Sequence, residues 1–323
     1  MSPQRRKIGV VLFQLGGPDG PSSVEPFLYN LFTDPDIIDF PMGWLLRRPL
    51  ARYVSRKRAP KVIAHYEEIG GRSPILGLTG RQARALESAL SADVDAHVVI
   101  AMRYWHPFTG EAIARLKQIS VEEIVLLPFY PQYSLATTGS SLNEWKRQWN
   151  DAAMPVHVVE HFYDHPDYIT AVAEKINLSL THFDDPVAAH ILFSAHGLPV
   201  RFIERGDPYQ RQVEESVRLV MEAGGWKNPH SLCYQSKVGP QKWLEPSIHA
   251  EIHRLAEAGV KNLLVSPIAF VSEHIETLHE INIETREEAV ALGIANFSMM
   301  PAVGDSTRFI ACLAGLVRRA LNG

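Results

Sequence analysis

The chain has 323 residues, of which 21% are charged and 46% hydrophobic, and it carries a net charge of −4. That length predicts two domains rather than one core, and the weakly acidic balance excludes a protein that holds nucleic acid through a general basic field. Two cysteines, Cys233 and Cys312, are too few for a disulfide framework or a cluster held by four thiolates of one chain, and they fit a reducing compartment.

A short basic start runs into an apolar stretch, 8–13, with no small-residue cleavage site behind it. This predicts a first strand rather than a signal peptide. No apolar run reaches the roughly 18 residues that span a bilayer, so the expectation is a cytoplasmic protein. Next, 21–61 combines Phe27, Leu28, Tyr29, Leu31, Phe32, Trp44, Leu45 and Leu46 with a run of cations, Arg47, Arg48, Arg52, Arg56, Lys57, Arg58 and Lys61. It reads either as a lip that touches a membrane surface peripherally or as a helical insertion with a solvated basic face. Beyond it, strand patterns at 97–102, 123–127, 156–160, 190–193 and 262–267 alternate with helical patterns at 79–90, 109–117, 167–180 and 207–223. Several of the strands are apolar on both faces. The predicted class is therefore α/β, built from βαβ units with parallel sheets. The tail, 306–321, has apolar residues at helical spacing and predicts a helix that packs on a core.

The chain repeats itself weakly. VEEIVLLP at 121–128 matches VKNLLVSP at 260–267, and FQLGGP at 13–18 resembles FSAHGLP at 193–199. Two copies of one fold facing a central cleft are predicted. Gly16 to Pro128 spans 112 positions against 70 from Gly197 to Pro267, which puts about 42 extra residues in the first copy, best placed at 21–61. The expected division is 1–165, 166–303 and a C-terminal helix at 304–323.

The richest segment for chemistry is 267–284. A strand ends near Pro267, Ser272 can cap the helix that follows, and Glu276, Glu280 and Glu284 then fall at i, i+4 and i+8 on one face, with His274 in the first turn. Such a column passes a hard cation inward or protons outward. The alternative is a solvated face of ordinary glutamates. At 191–199 a buried strand delivers His196 at its carboxyl end, before Gly197, where a ligand could approach closely. That histidine is either a base or metal ligand, or a satisfied core residue. His249 and His253 stand at i, i+4, but Glu251 is not adjacent to His249 as a metalloprotease helix requires. Arg103-Tyr104-Trp105, Phe129-Tyr130-Pro131 and the 235–243 loop with Lys237 and Trp243 place aromatics and cations at strand ends. They suit a flat apolar ligand with carboxylates, or simply close the core. No glycine-rich phosphate loop occurs, so nucleotides are not indicated.

These motifs together resemble ferrochelatase: Leu15-Gly-Gly-Pro, Tyr66-Glu-Glu-Ile-Gly-Gly-Arg-Ser73-Pro, Arg103-Tyr104-Trp-His-Pro, Tyr130-Pro-Gln-Tyr-Ser, Ser194-Ala-His196-Gly-Leu-Pro, Gln235-Ser-Lys237-Val-Gly-Pro, and Pro267 through Leu278. The resemblance runs from about residue 8 to 320. It implies two Rossmann-like, chelatase-fold domains around a porphyrin, and insertion of ferrous iron into protoporphyrin IX with release of two protons. It implies that His196 and Glu276 are the metal and proton site; the helical column adds His274, Glu280 and Glu284 as an expected relay for metal or protons. Arg58, Ser73 and Lys237 are implied for propionates, and Tyr66, Tyr130 and Trp243 for the macrocycle, with Leu15, Arg103 and Tyr104 also placed against the porphyrin. Leu15, where the coproporphyrin-using branch has Tyr, favours protoporphyrin. Fe²⁺ is a substrate, no permanently bound cofactor is expected, and the cysteine-rich iron–sulfur extension of vertebrate relatives is not expected. The competing readings are a cobalt or other tetrapyrrole chelatase and a non-catalytic cytosolic haem- or porphyrin-binding protein.

Overall fold

A computed structural model of the chain describes residues 5–37, 43–237 and 241–322. In chain order the elements are β1 (Lys7–Gln14), α1 (Pro21–Thr33), α2 (Gly43–Glu68), α3 (Ile75–Leu90), β2 (Asp95–Met102), α4 (Thr109–Ile119) and β3 (Glu123–Pro128). A π-helical turn (Leu135–Gly139), α5 (Ser140–Gln148), β4 (Val156–Val158), α6 (Pro166–Leu180), β5 (His190–His196), α7 (Val200–Glu204), α8 (Tyr209–Gly224) and β6 (His230–Gln235) follow. The chain continues through α9 (Ile248–Glu257), β7 (Asn262–Pro267), a π-helix (Glu276–Thr285), α10 (Arg286–Ala291), β8 (Asn296–Met299) and α11 (Thr307–Asn322).

Two compact units result. One comprises residues up to His161 together with those from Ile310 on, and the other Phe162–Phe309. Each holds a four-stranded, all-parallel sheet, in the order β2-β1-β3-β4 in the first and β6-β5-β7-β8 in the second. The orders are the same when β1 is matched to β5, so the weak sequence repeat corresponds to a repeated fold. The registers slip by one residue: Pro128 sits beside Phe13, but Pro267 sits beside Ser194.

Burial explains the strand sequences. β1 and β5 occupy inner positions and are buried along nearly their whole length, which is why both read as unbroken apolar runs. Around them Val11, Phe13, Leu116, Ile124, Leu126 and Trp145 form the first core. Leu192, Cys233, Ile252, Leu263, Val265 and Ile281 form part of the second. Within the expected insertion at 21–61, α1 and the first part of α2 are helical, and 38–42 lie outside the described residues. Phe27 and Leu28 turn inward and are buried, whereas Leu45, Leu46, Leu50 and Tyr53 on α2 are exposed. The membrane reading of Phe27 and Leu28 is therefore corrected, because their side chains are part of the interior. No helix among the described residues is long and apolar enough to cross a membrane.

Candidate metal centre and its surroundings

β5 ends on His196, and the residues that follow fix that imidazole. Its Nδ1 lies 2.6 Å from the carbonyl oxygen of Gly197, which can only accept, so Nδ1 carries the proton and donates. The Tyr209 hydroxyl donates to the His196 carbonyl at 3.0 Å. Gly197 is required by its neighbours: a Cβ there would lie 2.6 Å from the Gln235 oxygen and 3.2 Å from the Trp243 ring. The glycine makes room for the end of β6 and for Trp243, which is 9% exposed.

Glu276 completes the centre. Its Oε1 is 3.3 Å from His196 Nε2, and its Oε2 is 2.9 Å from His274 Nε2. His274 is held as His196 is, with Nδ1 3.2 Å from the Ser272 carbonyl oxygen. Both rings therefore present Nε2 to one carboxylate, an imidazole–carboxylate–imidazole arrangement with anchored tautomers. Ser272 does not cap the helix. The π-helix begins at Glu276, four residues later, and His274 precedes it; the Thr277 hydroxyl accepts from the His274 backbone N–H at 3.1 Å.

The glutamates sit on the π-helix, not on an α-helix. Its longer-range ladder widens the turn, yet residues four apart still share a face. One column is buried, with Thr277, Ile281 and Thr285 fully enclosed. The column beside it is Glu276, Glu280 and Glu284, whose ends differ in exposure: 22% for the Glu276 side chain and 46% for Glu284. Glu280 accepts from both the backbone N–H and the hydroxyl of Ser236, each at 2.6 Å. Ser236 is held at φ +63° to do so, a conformation that strains a non-glycine residue by about 1 kcal/mol or more.

The charges follow from this geometry. Burial works against the His196 imidazolium, but the Glu276 carboxylate beside it outweighs this and lifts its pKa to about 9. Burial opposes ionisation of Glu276 as well, and His196 and His274 overcome it, holding the carboxyl far below the usual range. The resting pair is an imidazolium and a carboxylate. Glu280 lies above the ordinary carboxyl value because it is buried and stands next to Glu276. The donor types present, imidazole nitrogen and carboxylate oxygen, are ones that suit Fe²⁺, Zn²⁺ and Co²⁺ alike.

Other expected site residues fall in two places. Lys237 is exposed and follows Ser236 directly, in the same unit as the centre. In the first unit, Leu15, Ser73, Arg103 and Tyr104 meet near the carboxyl ends of β1 and β2. The Tyr104 N–H donates to the Leu15 carbonyl at 3.0 Å, and the Ser73 N–H to Pro18 at 2.8 Å. A Cβ on Gly17 would lie 2.5 Å from Ser73. Tyr66 is buried. Tyr130 is partly buried, and burial pushes its phenol up to about 12. Arg58 is exposed and stacks over Phe32 at 5.6 Å.

Arg103 and Tyr104 have another task than expected. Asp34, fully enclosed, receives the Arg103 guanidinium at 3.0 Å and the hydroxyls of Tyr104 and Ser140, each at 2.6 Å. Tyr104 is 1% exposed. Both side chains neutralise and solvate a buried carboxylate. Asp34 itself escaped notice, since Asp-Pro after an apolar helix reads as a simple helix end. Ser236 was visible only as part of a motif, because nothing local signals its left-handed backbone.

Two repeated parallel sheets, with a His–Glu–His cluster at the end of a buried strand, define a chelatase-fold protein. SirB from Bacillus subtilis, solved with Fe³⁺, superposes with a TM-score of 0.57 at 10% identity, covering 98% of this chain and 96% of that one. A multi-domain Deinococcus radiodurans protein described as structurally similar to chelatases gives 0.55 at 13% identity, over 96% of this chain and 54% of its own. At such identities the likeness concerns the fold alone. Sequence comparison goes further: the ferrochelatase family profile matches residues 7–321. The ferrochelatase of Thermosynechococcus vestitus is 49% identical over 97% of this chain and 82% of its own length. That of Geotalea uraniireducens is 49% identical over 98% of both. The chain belongs to the ferrochelatase family.

Proposed function

We propose that this protein inserts Fe²⁺ into protoporphyrin IX with release of two protons, a lyase-class metalation and the terminal step of haem biosynthesis. The observation that carries the reading is the His196–Glu276–His274 cluster, which combines metal donors with a proton-accepting group at one strand end. A porphyrin has two pyrrole N–H bonds to break, and the metal takes the nitrogen lone pairs as each proton leaves. His196, protonated at rest, must first lose its Nε2 proton before it can accept one. Glu280, with its raised affinity for a proton, is the next acceptor, and the more exposed Glu284 delivers to water. Lys237 supplies a cation for a propionate, and Trp243 an aromatic surface, both near the His196 strand end.

Anaerobic mixing with protoporphyrin IX and Fe²⁺, followed in the visible spectrum, tests the function. Multiple turnovers with iron support it. Turnover only with Co²⁺ and a corrin precursor would favour the cobalt chelatase, and band shifts without turnover a binding protein.

We further propose peripheral membrane contact through α2. Leu46, Leu50 and Tyr53 form one exposed stripe at helical spacing, and Arg48, Arg52 and Arg56 an adjacent cationic one. Cations near an anionic surface contribute ~1 kcal/mol each, and the apolar stripe can enter the interface without spanning it. Liposome flotation should show binding that needs anionic lipid and falls with salt. Binding to neutral vesicles alone would reject the electrostatic part.

A further inference from the structure

β5 is paired on both sides only as far as Ser194. On the β6 side the ladder runs to the strand end, with His196 beside Gln235, and the Gly197 N–H donates to the Gln235 carbonyl at 2.8 Å. On the β7 side it stops two residues short, with Ser194 beside Pro267, where the Ile268 N–H donates to the Ser194 carbonyl at 3.0 Å. Residues two apart on a parallel strand turn their backbone groups to the same neighbour, so the His196 carbonyl faces the side that β7 has already left. A carbonyl in that position needs a donor from outside the sheet.

The donor is the Tyr209 hydroxyl, at 3.0 Å. Tyr209 opens α8 and is 7% exposed. Its own backbone is fixed by Asp207, a buried residue whose Oδ1 accepts from the Tyr209 N–H at 3.0 Å. The peptide between His196 and Gly197 is therefore held at both ends, by Tyr209 on its oxygen and by Gln235 on its nitrogen. The next carbonyl along, that of Gly197, is the one that receives His196 Nδ1 at 2.6 Å. Glycine adds no side-chain restraint of its own, so the orientation of the imidazole depends on these two peptide planes.

We propose that Tyr209 is a positioning residue for His196: by holding the strand-end carbonyl it aims Nε2 at the Glu276 carboxylate, 3.3 Å away. The proposal rests on the reading of His196 as the proton-handling group of iron insertion. The role needs no contact between Tyr209 and metal or porphyrin, and its whole effect passes through the aim of one ring.

Tyr209→Phe, which keeps the aromatic ring and removes only the hydroxyl, tests this in the full chain. The kcat for iron insertion should fall about 5- to 50-fold, less than the loss from removing the base itself, with the KM for protoporphyrin IX unchanged. Placed in His196→Ala, the same change should alter kcat by less than about twofold, because no ring is left to aim. By NMR, without metal or porphyrin, the His196 Cε1–Hε1 cross-peak should shift and broaden in Tyr209→Phe, while the rest of the spectrum keeps the dispersion of a folded chain. Wild-type kcat in Tyr209→Phe, an equal loss in both backgrounds, or a His196 cross-peak unchanged in position and width would overturn the positioning role. Failure of the wild type to insert iron would sink the proposed function instead, and the cross-peak would still decide the role of Tyr209.

Discussion

Replacing Glu276 by Gln removes the charge between His196 and His274 while keeping the side chain's size. His196 then loses the interaction that raises its pKa from 6.5 to about 9. A shift of that size corresponds to about 3 kcal/mol, but the His196 side chain is 40% exposed, so solvent screens it and a coupling of about 1–2 kcal/mol is expected. Burial still opposes the charged ring, and NMR titration of His196 should show a pKa about one unit below that of the wild type. The sign extends to stability. A group raised on folding stabilises fully below its unfolded value and loses that contribution as the pH rises through its folded value. The stability advantage of the wild type over Glu276→Gln should accordingly be greatest between about 4.5 and 6.5, decline towards 9 as His196 loses its proton, and decline below about 4.5, where the unfolded Glu276 carboxyl takes one up. Metal binding has the opposite slope, because the ion competes with one proton: wild-type Zn²⁺ affinity at this centre should rise about tenfold per pH unit from neutrality to about 9. His196 titrating at the same pH in both proteins would refute the ion-pair reasoning.

Glu280→Gln should slow insertion less than Glu276→Gln, and Glu284→Gln least, following exposure along the column; equal losses, or a loss only at Glu284, would reject the relay. Ser236→Ala removes one of the two donors to Glu280 and should slow turnover by several-fold while leaving porphyrin affinity unchanged, as separate kcat and KM values would show. Arg103→Met leaves Asp34 buried without its cation and should destabilise the first unit by about 3–5 kcal/mol in urea unfolding. A loss below about 1 kcal/mol would mean that the Tyr104 and Ser140 hydroxyls suffice.

The sheets were legible wherever strands are inner and apolar, as at 8–13, 123–127 and 262–267. β6 and β8 were not, and the reason lies in their composition rather than their edge position, since β2 and β4 are edge strands too. His-Ser-Leu-Cys-Tyr-Gln and Asn-Phe-Ser-Met mix polar and apolar residues without the continuous run of a strand buried on both faces. The four-residue spacing of Glu276, Glu280 and Glu284 announced a shared face, but it cannot distinguish an α-helix from a π-helix, since both keep such residues near one another. His196 and Glu276 could be nominated separately by strand-end position and helical column. Their pairing joins residues 80 positions apart in the chain. Asp34 shows the opposite failure. Its partners Arg103, Tyr104 and Ser140 lie 69 to 106 residues away, and without them a cation and an aromatic at a strand end look like ligand contacts.

The central claim is that His196 and Glu276 drive metalation, and the most direct measurement compares wild type with His196→Ala under anaerobic conditions, with Fe²⁺ and an excess of protoporphyrin IX over protein. Wild type should convert many equivalents of porphyrin to haem, releasing two protons for each. His196→Ala should bind porphyrin with unchanged affinity and turn over 10²–10⁴-fold more slowly, the range expected for loss of a general base. A variant that keeps more than about a tenth of wild-type kcat would contradict the account.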